Sequence, residues 1–286
     1  MIKFVSILGA IFFLLSSAFA ETVTLKSGKI IEGKITEDAP DFIKLETADG
    51  QSLYYYKNTI ESIGGGAQKP VSVTSSSSST KTGLLDYSDK GYLAYVPKDI
   101  FVNPPVAFLI CLPGWGVGAK QDINNWAFPA AKKSFITVAL DVDYDYIRSG
   151  SDVEDLYAKI ANIIASLTEE YQTGKIKIFL AGTSAGGMMS IALGLHYPDK
   201  FQAIGIVSGG RFGFDAGQNI GNASGLRLYM IHGDQDERIP FSEFLSTRKQ
   251  LEENGAIIES KVVSGGRHTL SSSSYKEVVD WLSAAE

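Results

Sequence analysis

The chain has 286 residues, of which 44% are hydrophobic and 20% are charged, and it contains 29 glycines. This composition belongs to a globular protein that can bury a core, and it excludes collagen-like, intrinsically disordered and multispan membrane proteins. The net charge of −6 has the wrong sign for a protein that binds nucleic acid through its phosphates.

The first twenty residues have the pattern of a secretory signal peptide. Lys3 precedes a largely apolar run at residues 4 to 15, and Ala18 and Ala20 form a small-x-small cleavage site. The apolar run is shorter than the ~20 residues that a spanning helix needs, which disfavours an uncleaved membrane anchor. We therefore expect cleavage before Glu21 and export to the periplasm or the cell exterior.

Residues 21 to 66 predict a small all-β domain. Short runs of alternating apolar and polar residues are divided by turn signals, which indicates about five antiparallel strands. The turn signals are Gly28, Gly33, Gly50 and Asn58. The segment resembles an SH3-like or Sm-like barrel, through Val-x-Leu-Lys-x-Gly at residues 23 to 28 and the later Gly-x-Ile and Ile-x-Leu pairs.

Sm-like barrels often bind RNA, but this segment holds five lysines against eight acidic residues. We therefore expect no nucleic-acid binding here. An envelope partner, a polysaccharide and a second copy of the chain all remain open as ligands of the barrel.

Residues 67 to 83 predict a flexible linker. They contain Pro70, five consecutive serines and three threonines, with few apolar side chains. Such a stretch cannot bury enough surface to offset the entropy lost on ordering. The predicted organisation is thus a signal peptide at 1–20, a β-barrel domain at 21–66, a linker at 67–83 and a second domain at 84–286.

The second domain predicts an α/β architecture. Apolar strand candidates lie at residues 92–96, 106–112, 136–142, 176–181, 203–207, 228–232 and 257–263. Helical spacing of apolar residues lies between several of them. This alternation indicates a mostly parallel sheet covered on both faces, with ligands bound at the carboxyl ends of the strands. The only cysteine, Cys111, lies in such a strand, which predicts a buried and inert thiol.

One strand is followed by a candidate nucleophile. Residues 182 to 187 read Gly-Thr-Ser-Ala-Gly-Gly, between an apolar strand and a helix. A sharp turn with Ser184 at its tip needs small neighbours two residues to either side, because the chain folds back on itself there. The alternative is an ordinary glycine-rich turn.

A serine needs a base, and the base needs an acid to orient it. The chain has three histidines. His196 lies near the end of a predicted helix, so we expect it to have a structural role. His232 ends a predicted strand, where we expect it to shape the following turn. His268 lies between the last strand and the last helix, from which it can reach a nucleophile, so it is the candidate general base.

These residues bring out a resemblance: residues 84 to 286 resemble the α/β-hydrolases. The chain order Ser184, Asp236, His268 is the order that this family uses. Within the family the sequence is most similar to compact esterases of the polyhydroxybutyrate-depolymerase and feruloyl-esterase type. The matching stretches are residues 92–97, 182–187, 197–201 and the His-Gly-x-x-Asp-x-x-Ile-Pro run at 232–240.

The resemblance implies that the acid is Asp236, four residues after His232. Asp234 and Glu237 stay open as alternatives. Asp141, Asp143 and Asp145 follow an earlier strand and are expected to be loop or pocket residues.

Two backbone amides are expected to bind the oxyanion. One is that of Ala185, and the other comes from the loop after the strand at 106–112, where Trp115 is the candidate. The family usually has His-Gly in this loop, whereas this chain has Pro113 and Gly114. Because the donors are backbone groups, this oxyanion-binding site does not require the histidine side chain.

Aromatic residues in loops after strands suggest a substrate pocket. Trp115, Trp126, Tyr144 and Tyr146 are the candidates, with scattered core and surface aromatics as the alternative. The connection between residues 207 and 228 is too short for a large lid, which disfavours a lipase acting at an oil interface.

The sequence holds no His-x-x-x-His pair, cysteine cluster or phosphate-binding loop, so no metal or cofactor is expected. The prediction is an exported serine hydrolase that cleaves carboxylic esters of small molecules or polymers. A serine peptidase with the same triad and a catalytically silent binding module remain alternatives.

Overall fold

A computed structural model of the protein describes residues 21–25, 30–38, 42–47, 52–57, 60–64, 81–147 and 149–285. The predicted signal peptide and most of the predicted linker lie outside the described residues, so both stay predictions. Among the helices that are described, none is both long and apolar enough to cross a membrane.

The N-terminal part contains a five-stranded antiparallel sheet. Its strands are β1 (Glu21–Leu25), β2 (Ile30–Asp38), β3 (Phe42–Glu46), β4 (Ser52–Tyr56) and β5 (Ile60–Gly64). The spatial order is β4-β3-β2-β1-β5. The sheet buries Val23, Ile31, Ile43 and Leu45 as a small core of its own.

Strand β2 bends this small sheet. Its first half pairs with β1, its second half pairs with β3, and a register shift lies between Ile35 and Glu37. A bulge of this kind increases the local twist, as a small barrel requires. The predicted number of strands agrees with the structure. The described residues contain no pairing between the outer strands β4 and β5, so the SH3-like barrel stays a prediction.

The described residues from 81 onward form an eight-stranded sheet with five α-helices. The strands are β6 (Gly83–Tyr87), β7 (Tyr92–Val96), β8 (Ala107–Leu112), β9 (Phe135–Leu140), β10 (Lys177–Thr183), β11 (Ala203–Val207), β12 (Arg227–Gly233) and β13 (Ile257–Val263). The helices are α1 (Ala119–Ala131), α2 (Gly150–Tyr171), α3 (Ala185–His196), α4 (Phe241–Glu253) and α5 (Ser272–Ala284).

The strand order of this sheet is β13-β12-β11-β10-β8-β9-β7-β6. All neighbours are parallel except at β7, which runs antiparallel to β6 and β9. Helices α2, α3 and α4 contribute to the core on one face, and α1 and α5 to the core on the other. The predicted α/β fold with a mostly parallel, doubly covered sheet is therefore confirmed.

Helix α2 illustrates how local sequence sets an element boundary. The Ser149 hydroxyl accepts from the amide of Asp152 in a capping box, and the Asp152 carboxylate accepts from the Ser149 amide at 2.8 Å. These contacts satisfy N–H groups that the first turn leaves unpaired. Val153, Leu156, Ile160 and further residues at helical spacing then face the core.

Two predicted placements are tested by burial. Cys111 is fully buried in β8, and burial raises the pKa of its thiol well above the usual value, as expected for an inert cysteine. The prediction that Trp126 lies in a loop is wrong. Trp126 lies in α1, is 0% exposed, and packs edge-on against Tyr275 of α5 with ring centroids 4.8 Å apart. A side chain enclosed in this way does not contact a substrate.

Helix α1 also buries a carboxyl group. Asp122 is 1% exposed, and its Oδ2 has no hydrogen-bond partner among the described residues. Because burial disfavours the charged form, the pKa of Asp122 is raised to about 7. The folded state thus carries a neutral carboxyl at acidic pH and a buried charge, which lowers the free energy of unfolding, at alkaline pH.

Replacing Asp122 with asparagine should therefore stabilise the protein in a pH-dependent way. In the wild type, the folded pKa lies above the unfolded one, so stability is lost as pH rises from about 4 to about 7. Asparagine does not titrate. In chemical unfolding, the variant's advantage should grow by on the order of 2 kcal/mol between pH 5 and pH 8. The matched control, Asp155→Asn at an exposed site of α2, should show no such growth, and equal slopes for both variants would refute the assignment.

Candidate active site

Three polar side chains meet at the carboxyl edge of the large sheet. Ser184 follows β10, Asp236 lies after β12, and His268 lies after β13. Parallel strands end at the same edge, so the loops that follow them bring together residues distant in sequence. The chain thereby assembles Ser184, Asp236 and His268 from three separate connections.

The turn at Ser184 has an unusual backbone. Its φ is 55° and its ψ is −118°, a backbone conformation that residues other than glycine rarely adopt. The Ser184 amide donates to the carbonyl of Val207 at 2.9 Å, which ties the turn to β11. A Cβ added at Gly182 would lie 2.2 Å from the carbonyl oxygen of Gly186. Gly182 is thus required by the close approach of β10 and α3, and Gly186 by its contact with the end of β8, where an added Cβ would lie 1.9 Å from the carbonyl oxygen of Leu112.

The three side chains form a continuous hydrogen-bonded chain. The Ser184 Oγ is 2.8 Å from Nε2 of His268. On the other side of the ring, Nδ1 lies 2.8 Å and 2.9 Å from the two carboxylate oxygens of Asp236. Asp236 and His268 are both buried. The imidazole can therefore accept a proton from Ser184 while the carboxylate fixes its opposite nitrogen as a donor.

The environment of Asp236 favours its ionised form. Burial alone would raise its pKa, but the amide of Ile239 donates to Oδ1, and His268 and the amide of Arg238 donate as well, so the pKa is lowered. Hydrogen bonds to a charged form stabilise it more than burial penalises it here. The carboxylate is thus held as an acceptor at the imidazole.

The alternative acids are engaged elsewhere. Asp234 Oδ1 accepts from the amide of Gly265 at 2.7 Å, and Glu237 accepts from the backbone amide of His268 rather than from its ring. His196 lies at the end of α3, where Nε2 is 2.8 Å from the side chain of Asn219. Of the candidates that the sequence left open, the structure brings only Asp236 to the His268 ring.

The loop after β8 lies against the nucleophile. A Cβ added at Gly114 would be 3.6 Å from Cβ of Ser184. Within the described part of the chain, the amides of Trp115 and Ala185 make no hydrogen bond. Ala185 is the first residue of α3, and the first amides of a helix have no partner within the helix. Neither N–H is thus occupied by another group of the described residues.

A tyrosine braces this loop, and the sequence did not indicate it. The Tyr144 hydroxyl donates to the carbonyl of Pro113 at 2.8 Å, and its ring stacks on Phe214 with centroids 5.4 Å apart. Tyr144 is 2% exposed. The loop that departs from the family's His-Gly is thus held by a side chain from the segment after β9. Only the tertiary contact reveals this role.

A cavity of about 430 Å³ opens beside the same loop. It is lined by Trp115, by Tyr144 and by Asp141, Asp143 and Asp145. Trp115 is 56% exposed, so its indole face is accessible. Of the four aromatic residues predicted for a pocket, Trp115 and Tyr144 line this cavity, whereas Trp126 and Tyr146 do not. That a substrate binds there stays a prediction. In the described residues, no group of three potential ligands could hold a metal ion.

Comparison with known proteins identifies relatives of this region. The model of a family described as phospholipase/carboxylesterase matches residues 139–285. Acetylxylan esterase A from Talaromyces purpureogenus is 26% identical over 170 residues, which are 55% of this chain and 43% of that protein. Feruloyl esterase B from Thermothelomyces thermophilus is 27% identical over 135 residues, which are 43% of this chain and 45% of that protein.

A solved structure shares the fold. The crystal structure of esterase PE8 superposes with a TM-score of 0.53 at 20% identity, covering 64% of this chain and 94% of that one. At this identity the likeness concerns the fold alone. The matched regions span less than half the length of the two fungal relatives.

Proposed function

The chain belongs to the phospholipase/carboxylesterase family, and we propose that it hydrolyses carboxylic esters with Ser184 as nucleophile, His268 as general base and Asp236 as the orienting acid. The observation that carries the proposal is the unbroken contact from Ser184 Oγ through the His268 ring to Asp236. A serine without such a base is a weak nucleophile.

In the first half-reaction, Ser184 Oγ attacks the ester carbonyl carbon while its proton moves to Nε2 of His268. The resulting imidazolium is stabilised by the Asp236 carboxylate at Nδ1. The tetrahedral intermediate collapses as the bond to the alcohol oxygen breaks, and His268 returns the proton to that oxygen. An acyl-serine remains and the alcohol leaves.

In the second half-reaction, His268 takes a proton from water, which attacks the acyl carbonyl. Collapse of the second tetrahedral intermediate breaks the bond to Ser184 Oγ, which regains its proton from His268, and the carboxylic acid leaves. The negative oxygen in both intermediates is bound by the amides of Trp115 and Ala185. Preorganised donors of this kind are worth about 10²- to 10³-fold each in kcat.

The substrate is proposed to extend into the cavity beside Trp115. Relatives named acetylxylan esterase and feruloyl esterase make acetylated and feruloylated saccharides the first esters to assay. Among the described residues, three aspartates line the cavity and no lysine or arginine does. Neutral alcohols are thus better suited to it than anionic ones.

The proposal is tested by labelling the purified protein with a fluorophosphonate and mapping the modified peptide by mass. An activated serine attacks phosphorus and forms a stable adduct, so we expect one label, at Ser184, in the wild type and none in Ser184→Ala. Ser208→Ala, at a buried serine with a similar positive φ, is the matched control and should be labelled normally. Absence of label would favour the silent binding module.

The peptidase alternative is separated by matched substrates. An ester and an amide with the same acyl group present the same carbonyl, and differ only in the leaving group. We expect turnover of the ester and little of the amide, and the reverse would favour a peptidase. Export through the leader at residues 1–20, and an envelope partner for the N-terminal β domain, are parts of the same proposal that cell fractionation and pull-down experiments address.

A further inference from the structure

A second histidine lies beside the proposed triad without a part in the mechanism. His232, near the end of β12, is 0% exposed. Its ring stacks on Phe244 with centroids 4.9 Å apart and planes 14° apart, and Phe241 lies beyond at 6.4 Å. It therefore sits in an aromatic layer behind Asp236.

The protonation of His232 follows from its contacts. Nε2 is 3.0 Å from the carbonyl oxygen of Ile239, which can only accept, so Nε2 carries the hydrogen. Nδ1 is buried and has no partner among the described residues. Burial lowers the pKa of the ring, opposed by the Ile239 contact and by Asp236, with His268 acting in the same direction as burial. The ring is thus neutral, with a single N–H.

That N–H faces the groups that hold the acid. Nε2 is also 3.4 Å from Oδ2 of Asp236. Ile239, whose carbonyl receives the His232 hydrogen, donates its own amide to Oδ1 of Asp236 at 2.9 Å. His232 thereby contacts both the Asp236 carboxylate and the turn at residues 236–240 that holds it.

We propose that His232 is a positioning residue that holds Asp236, through Ile239, in the orientation that His268 requires. The inference rests on the proposed function of Ser184, His268 and Asp236. A phenylalanine would fill the same aromatic layer and would not bury an unpartnered nitrogen, which is a costly arrangement. The one group that a histidine adds at this place is the Nε2 hydrogen.

Two variants isolate that hydrogen. His232→Phe keeps an aromatic ring and removes the donor, whereas His232→Gln loses the ring and places an amide N–H near the position of Nε2. We expect His232→Phe to lower kcat about tenfold with KM changed less than about twofold, and His232→Gln to recover most of kcat. If His232→Phe does not fold, His232→Met supplies a flexible side chain without the donor. Thermal unfolding of each variant is measured alongside.

A double-mutant cycle with Asp236→Asn gives the decisive readout. If His232 acts through Asp236, then His232→Phe should lower kcat in the wild type and cost nothing further in the Asp236→Asn protein. The residual activity of the latter is measured with an activated ester. An equal loss in both backgrounds, or a loss in kcat that tracks stability and is not recovered by glutamine, overturns the inference.

The same experiment distinguishes a failure of the proposed role of His232 from a failure of the proposed triad. If Asp236→Asn itself leaves kcat unchanged, the proposed triad fails and His232 has nothing to position. If Asp236→Asn lowers kcat strongly while His232→Phe has no effect, the proposed function stands and only the role of His232 is overturned.

Discussion

Ser184→Ala should lower kcat for a carboxylic ester by about 10⁶-fold, the size of effect seen when a triad nucleophile is removed. The variant lacks the atom that bonds to the carbonyl carbon, so no acyl-enzyme forms and His268 has no hydroxyl to deprotonate. The proposed oxyanion donors, the amides of Trp115 and Ala185, and the proposed substrate cavity remain. Only the slower attack of water assisted by those donors is then left.

The fold should survive this change. Ser184 makes its backbone contact to Val207 through the amide, which alanine retains. Initial rates and circular dichroism of purified Ser184→Ala and wild type measure activity and structure together. Ser208→Ala, after β11, is the matched control and should keep full turnover. Substantial ester hydrolysis by a folded Ser184→Ala protein would remove Ser184 as the nucleophile and the proposed mechanism with it.

Much of the large sheet could be predicted because its inner strands are buried on both faces. The strands at 92–96, 203–207 and 257–263 begin and end at the predicted residues, and continuous apolar runs bounded by turn residues explain the first two. The sequence pattern predicts neither β6 nor α1. Helix α1 contains Pro129 and has a weak apolar periodicity, so local pattern did not separate it from a loop, and Trp126 was misplaced as a result.

The residues of the candidate site could be predicted from the sequence more readily than the contacts that position them. Ser184, Asp236 and His268 stand in recognisable local patterns, each next to a strand end. Their distances, however, depend on how three strands align in one sheet. The contact of Tyr144 with Pro113 joins residues 31 apart in the chain, and no local pattern encodes it.

Gly186→Ala should prevent the hydrolase fold from forming normally. A Cβ at this position would lie 1.9 Å from the carbonyl oxygen of Leu112 and 2.6 Å from that of Pro113. Both are backbone atoms at the end of β8, so no rotation of a side chain relieves the clash. In an exposed helix the change would gain about 1 kcal/mol from helix propensity. Here the overlap opposes it, and overpacking of this kind costs about 3 kcal/mol or more.

The clash also bears on the chemistry, because the atoms it displaces lead directly into the loop that carries Gly114 and Trp115. To admit a methyl group, α3 must move away from β8, and the amide of Ala185 moves with it relative to that of Trp115. Protein that folds should therefore turn over esters slowly, and chemical unfolding should show a lowered midpoint. The matched control is Gly217→Ala, where the added carbon meets no described atom within 4 Å beyond its own local backbone, and it should leave both properties unchanged. Wild-type stability and turnover in Gly186→Ala would mean that α3 does not approach β8 as closely as the structure describes, and the oxyanion donors would then need to be sought elsewhere.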